Sequence, residues 1–282
     1  MFRLAVLLAT ATLLAPGSAA AADVNVLYAG SLVNLMEHGI GPAFDKATGY
    51  TFRGFGGGSN GLANQIKGKL RRGDVFISAN PRVNDTLMGE ANGDWVGWYI
   101  TFAQSPLVIG YSPSSRFAAE LKTKPWYEVL REPGIKIGRT DPKLDPKGAL
   151  TVQLLAKAEQ VYHQPGLAEA VLGAADNPEQ VRPEENLVGR LQSGQIDVGF
   201  FYSTETADLH IPALPLPPEV ALSAVYTITV LHDAADPAAA AKFVDFLLSP
   251  TGTAILKEHG LDTSPPALVG DAAQLPTSIH LR

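Results

Sequence analysis

The chain has 282 residues, with 22 Lys and Arg against 28 Asp and Glu, a formal charge of −6 and no cysteine. The charge argues against a nucleic-acid partner, and the missing thiols exclude disulfides, thiolate metal sites and a lipidated cysteine. The length suits one large or two medium α/β domains, and beyond the N-terminus no apolar run is long enough for a membrane span.

Arg3, the apolar run Leu4 to Leu14 and the small residues Ala19 to Ala22 read as an export signal over residues 1–22. Its removal near Ala22 or Asp23 would leave a soluble protein in a bacterial periplasm. Val24 to Tyr28 predicts a first strand ending in Ala29-Gly30-Ser31; the helix behind it is marked by Leu32, Leu35 and Met36 and broken at Gly39 and Gly41. Tyr50 to Phe55 predicts the next strand. A glycine turn then leads to Ser59, and Leu62, Ile66 and Leu70 recur at helical spacing until Gly73 stops the helix. Asp74 to Ala79 predicts a short buried strand. Trp95, Trp98 and Tyr99 are expected in core or interdomain packing, ahead of a buried strand from Leu107 to Tyr111.

Farther along, Trp126 to Leu130 predicts a short helix and Ile135 to Gly138 a strand. Asp145-Pro146 has the pattern of an N-cap followed by proline at the first helical position, ahead of a helix from Ala149 to about Tyr162. Glu184-Glu185-Asn186 opens a helix closed by Ser193-Gly194, the strand Ile196 to Tyr202 follows, and Ser203-Thr204 starts the next element. Residues 212–218 are proline-rich, Ala224 to Leu231 predicts a returning strand, and two helices run from Ala238 to Leu248 and from Ser249 to about His259. The tail from Leu261 to Arg282, with its scattered prolines, is expected to be irregular. Crossovers near residues 104 and 222 would divide the mature chain into one lobe of 23–104 plus 223–282 and a second of 105–222.

Ser31 and Ser59 stand at two strand-to-helix junctions. Unpaired N–H groups and the helix dipole favour an oxyanion there, and in an open parallel sheet such junctions gather where ligands bind. Two other patterns overlap the glycine turn. Gly57 to Gly61 matches the G-x-S-x-G nucleophile elbow, but no Asp and His follow in a supporting setting. Gly56, Gly58 and Gly61 match G-x-G-x-x-G, but the next acid, Asp74, opens a strand instead of closing a dinucleotide site. A secreted serine hydrolase using Ser59 is the remote alternative.

Several stretches together resemble the periplasmic molybdate/tungstate-binding proteins of ABC importers, and more closely their tungstate-type branch. They are Tyr28-Ala29-Gly30-Ser31-Leu32, Gly58-Ser59, Gly138 to Pro142 with Asp145-Pro146, Leu187-Val188-Gly189 with Ser193-Gly194, Phe200-Phe201-Tyr202, and Phe246 to Gly252. The resemblance implies an α/β, bilobal periplasmic binding protein fold of type II, with the oxyanion held between the lobes. It implies no enzyme activity, no cofactor, a monomer, and an inner-membrane ABC permease as partner. Matched residue by residue, it implies ligand contacts from Gly30, Ser31 and Ser59, from the loop Asp145-Pro146-Lys147, and from Tyr202. Its second carboxylate falls on Glu184 or, with the gap placed differently, on Glu185. The sequence departs from the family's Cys-Gly-Tyr-Arg after the Asp-Pro, carrying Lys147-Gly148-Ala149-Leu150 instead.

A carboxylate pair beside a dianion is repulsive in a dry cleft. The conflict dissolves if Mo(VI) or W(VI), a hard centre, takes Asp145 and Glu184 as two further oxygen ligands and becomes six-coordinate. Sulfate does not expand its coordination readily, so the same pair would repel it. A binder of sulfate, phosphate or another tetrahedral oxyanion is the main alternative.

Overall fold

The structure is a computed structural model that describes residues 22–174 and 176–282; of Glu185 only the backbone is described. The expected export signal, apart from its last residue, therefore lies outside the described residues, and so does the Glu185 side chain.

Strand β1 (Asp23–Ala29) alternates exposed and buried positions before becoming fully buried at Val26. A 3-10 turn (Gly30–Leu32) and a π-helical turn (Leu35–Ile40) lead without a break into α1 (Gly41–Thr48). The break expected at Gly39 and Gly41 does not occur. These glycines serve close packing instead: a Cβ on Gly39 would meet His259 Nε2 and Ile255 Cγ2 at 2.9 Å, and one on Gly41 would meet Phe52 at 2.5 Å.

β2 (Thr51–Gly57), α2 (Ser59–Lys67) and β3 (Val75–Ser78) follow. Helix α2 closes at Gly68, which donates to the Asn64 carbonyl, so Leu70 lies beyond the apolar stripe and is 79% exposed. The stripe ends at Ile66, one helical turn earlier than its spacing predicts. After α3 (Pro81–Asp85) comes the 14-residue β4 (Trp98–Tyr111), then α4 (Ala118–Leu121), α5 (Trp126–Val129) and β5 (Ile137–Gly138). The remaining elements are α6 (Pro146–Val161), α7 (Leu167–Leu172), α8 (Glu184–Gln192), β6 (Val198–Tyr202), α9 (Ser203–Asp208), β7 (Ala213–Pro215), β8 (Ser223–Val230), α10 (Pro237–Leu248), α11 (Pro250–Glu258) and β9 (Asp262–Gly270).

The strands run in the order β2-β1-β3-β8-β4-β6-β5, with β7 and β9 also on β4. Pairing is parallel for β1 with β2 and β3 and for β5 with β6, and antiparallel across β8 and β4, so the sheet is mixed. β4 joins the two parts of the molecule. From Trp98 to Pro106 it pairs with β8 and β9, and from Leu107 to Tyr111 with β6 and β7. The result is the expected two-lobed α/β architecture, with helices packed on sheet faces. One apolar cluster runs through both parts, from Val24, Phe44 and Phe243 to Leu154, Leu167 and Phe200, and two smaller ones gather Leu27, Leu62, Ile66 and Phe76 under α2 and Val108, Leu187, Leu191 and Phe201 under α8. Trp98 and Tyr99 are buried, as a packing role requires.

The tail corrects the sequence reading, since β9 lies inside the stretch expected to be irregular. Its register against β4 shifts between Ala267 and Thr263, which places Ser264, Pro265 and Pro266 in a bulge. Proline has no N–H to give a ladder, and a bulge is where that loss costs least.

Candidate functional site

The first wall of the site comes from the ends of β1 and β2. Ser31 lies in the 3-10 turn, buried, with its hydroxyl 2.9 Å from the Tyr226 hydroxyl of β8. Ser59 is the first residue of α2 and is 1% exposed; its hydroxyl accepts from the Ala79 N–H at 3.1 Å. The glycines around them let a second wall come close. A Cβ on Gly30 would lie 2.3 Å from Glu184 Cγ, and one on Gly58 would lie 2.6 Å from the Leu144 carbonyl and 3.2 Å from Asp145 Oδ2. Gly61 N–H donates to the Leu144 carbonyl at 2.9 Å, and Asn60 Nδ2 to the Lys143 carbonyl at 3.0 Å. Helix α8 also packs against β2 and the Gly30–Leu32 turn.

The second wall starts from the caps read in the sequence. Asp145 is the N-cap of α6, its Oδ1 accepting the Lys147 N–H at 2.7 Å with Pro146 at the first helical position. Such a cap stabilises a helix by about 1 kcal/mol. Glu184 opens α8, where a carboxylate complements the positive end of the helix dipole. Lys147 is fully buried, its ammonium 2.7 Å from Glu184 Oε1 and 2.9 Å from each oxygen of Glu205. Glu205 also accepts the Tyr202 N–H at 2.8 Å, which fixes it to the start of α9. The ammonium lies over the Phe201 and Tyr202 rings, at 5.4 and 5.5 Å from their centroids.

Three buried carboxylates thus surround one ammonium. Burial, then the neighbouring Glu184 carboxylate, pushes the Asp145 carboxyl well above the usual range. Burial pushes Glu205 up to about 7 against the pull of Lys147. Burial alone would lower Lys147, but Glu184, Glu205 and Asp145 outweigh it and the ammonium is held above its ordinary value. Tyr202 and Tyr226 are both raised, by burial first; nearby carboxylates add to both.

The Glu184 carboxylate lies within hydrogen-bond reach of the Asp145 carboxyl, and no other group donates to its Oε2; the Tyr202 hydroxyl, close enough to both acids to feel their charges, is buried without a hydrogen-bond partner. An unpaired buried polar atom costs about 1–3 kcal/mol. Beside these groups opens a cavity of about 390 Å³ lined by both walls, including Phe55, Gly58, Leu62, Leu144, Asp145 and Glu184.

The structure brings Gly30, Ser31, Asp145, Pro146, Lys147, Glu184 and Tyr202 into this one region, with Ser59 beside Gly58 at its edge. Lys147 turns its ammonium to Glu184 and Glu205. Sequence reasoning missed Glu205 and Tyr226. A glutamate three residues after Tyr202 at a helix start was the available signal for Glu205; Tyr226 sits mid-strand among apolar neighbours and gave none. The elbow-like Ser59 hydroxyl accepts from Ala79, while His259 pairs with Asp208 at 3.0 Å, His232 with Gln274 at 3.1 Å and His280 with Asp245 at 2.9 Å.

The sequence pattern of the bacterial extracellular solute-binding protein family matches residues 24–262. A putative ABC transporter molybdenum-binding protein of Haloferax volcanii is 31% identical, over 77% of this chain and 67% of that protein. A molybdate/tungstate-binding protein of Pyrococcus abyssi is 25% identical, over 90% of this chain and 88% of that protein. The periplasmic molybdate-binding protein of Azotobacter vinelandii superposes with a TM-score of 0.65 at 20% identity, over 84% of this chain and 98% of that one. At that identity the likeness speaks for the fold, that of the periplasmic binding proteins.

Proposed function

This chain belongs to the bacterial extracellular solute-binding protein family, and on that premise we propose that it captures molybdate or tungstate between its lobes and delivers it to an inner-membrane ABC permease. In this reading the lobes are residues 23–104 with 223–282, and 105–222, meeting along β4 and β8, and the exported protein works in the periplasm. The names of the two relatives support the ligand class. The observation that carries the reading is the buried pair Asp145 and Glu184, whose carboxyl groups lie within hydrogen-bond reach of each other, with each acid at the start of its own helix.

Two carboxylates are a poor welcome for a dianion that only accepts hydrogen bonds. They suit an oxyanion whose central atom takes further oxygens. Ser31, Ser59, the Gly30 backbone and Tyr202 would then hydrogen-bond the oxo groups while Asp145 and Glu184 approach the metal. Sulfate is the second reading, because the neutral wall alone would hold any tetrahedral oxyanion. Calorimetry of the mature protein against tungstate, molybdate, sulfate and phosphate decides between them. Tight binding of tungstate or molybdate and much weaker, still measurable binding of sulfate are expected. Binding of sulfate alone would select the second reading, and no binding of any of the four would end both.

A further inference from the structure

Lys147 occupies the position where the sequence departs from the resembled family, and charged and phenolic groups, with the Phe201 ring, surround it. Asp145 faces it from its own helix, Glu184 from α8, Glu205 from α9, Tyr202 from β6, and Tyr226 stands behind them on β8. An ammonium has three N–H donors. The three carboxylate oxygens within reach, Glu184 Oε1 and both of Glu205, match that number. With its donors committed, the ammonium is not itself a clamp for a dianion. A free ammonium in the cleft would favour sulfate as much as tungstate.

We propose that Lys147 is the selectivity-setting residue of the cleft: it holds Glu184 by one oxygen so that the other is presented to a metal-centred oxyanion. The assignment rests on the molybdate or tungstate reading above. Glu205, tied to the Tyr202 N–H, fixes the ammonium from the far side, so Glu184 Oε1 is drawn toward α9 and Oε2 is left free of the ammonium, with the Asp145 carboxyl in hydrogen-bond reach of Glu184. Sulfate has no use for that free oxygen; a tungsten or molybdenum centre gains a ligand from it. Loss of Lys147 should therefore harm tungstate binding selectively.

The test uses the mature protein as Lys147→Met, as Lys147→Met with Glu205→Met, and as Lys147→Arg. The double variant removes one buried carboxylate together with the ammonium, which leaves less uncompensated charge than Lys147→Met alone, and so keeps the test open if the single Met variant fails to fold. Calorimetry with sodium tungstate and sodium sulfate, and X-ray absorption at the tungsten edge, give the readouts. Expected are at least about 30-fold weaker tungstate binding in each folded Met variant, a tungsten shell short of one oxygen, unchanged sulfate binding, and partial rescue in Lys147→Arg. A folded Met variant that binds tungstate as wild type does would overturn the role of Lys147. Equal losses for tungstate and sulfate would overturn it too, since they would show a general charge effect. Wild-type protein that binds neither tungstate nor molybdate would instead overturn the functional reading.

Discussion

The Gly30–Ser59 wall is neutral: Ser31 shares its hydroxyl with Tyr226, Ser59 accepts from Ala79, and glycines leave room for an approaching surface. The opposite wall sets Asp145, Glu184 and Glu205 around Lys147, all buried. Hydroxyls and helix-start N–H groups attract any oxyanion at modest cost in selectivity. Buried carboxylates reject most of them and become an asset only for a ligand that bonds to them directly. In the proposed reading the contrast therefore separates affinity, supplied by both walls, from discrimination, supplied by one.

Gly58→Ala should break the meeting of the walls outright. The new Cβ would lie 2.6 Å from a backbone carbonyl, Leu144, which cannot swing aside as a side chain can. The clash falls where the walls meet, so tungstate affinity should fall by about 100-fold or more. Small-angle scattering of the variant with tungstate should show no compaction; a compact loaded variant would contradict the geometry.

Asp145→Asn and Ser31→Ala sharpen the comparison between walls. Asparagine caps as well as aspartate, so stability should hold while tungstate binding weakens and sulfate binding stays or improves. Ser31→Ala should cost both oxyanions about 1–3 kcal/mol through one lost charge-assisted hydrogen bond. Calorimetry showing the same tungstate-to-sulfate ratio in both variants would erase the distinction.

The smallest effect is on the ligand-free fold. Glu205 has its folded pKa pushed from 4.5 up to about 7, mainly by burial, so between those values the folded state holds more proton than the unfolded one. Stability is then highest at the acidic end and falls as pH rises from about 5 toward 7. Asp145 shifts in the same direction. Urea midpoints should decline across that window, and Glu205→Gln should flatten the slope; a rising midpoint would refute the burial argument.

What the sequence disclosed was local in origin. Asp145-Pro146 could be read because a cap and a first-position proline are neighbours in the chain, and Glu184 because acids favour a first helical turn. Leu70 misled because hydrophobic spacing continues past the glycine that ends α2. The tail misled because Pro265 and Pro266 fall in a bulge of β9, a fact set by its partner strand. Glu205 and Tyr226 were hidden for a related reason. Each is ordinary where it stands in the chain and acquires meaning only from Lys147 or Ser31, residues far off in sequence.

The hydrogen bonds from Gly61 to Leu144 and from Asn60 to Lys143 join the walls through protein groups alone. In the proposed reading they would lower the work of closing for whatever ligand is inside, and would have to rupture before it could leave. Residence time would then be governed by how fast the cleft opens as well as by the strength of the ligand's own bonds. A permease that pries apart Asn60 and Lys143 would speed unloading without touching the oxyanion.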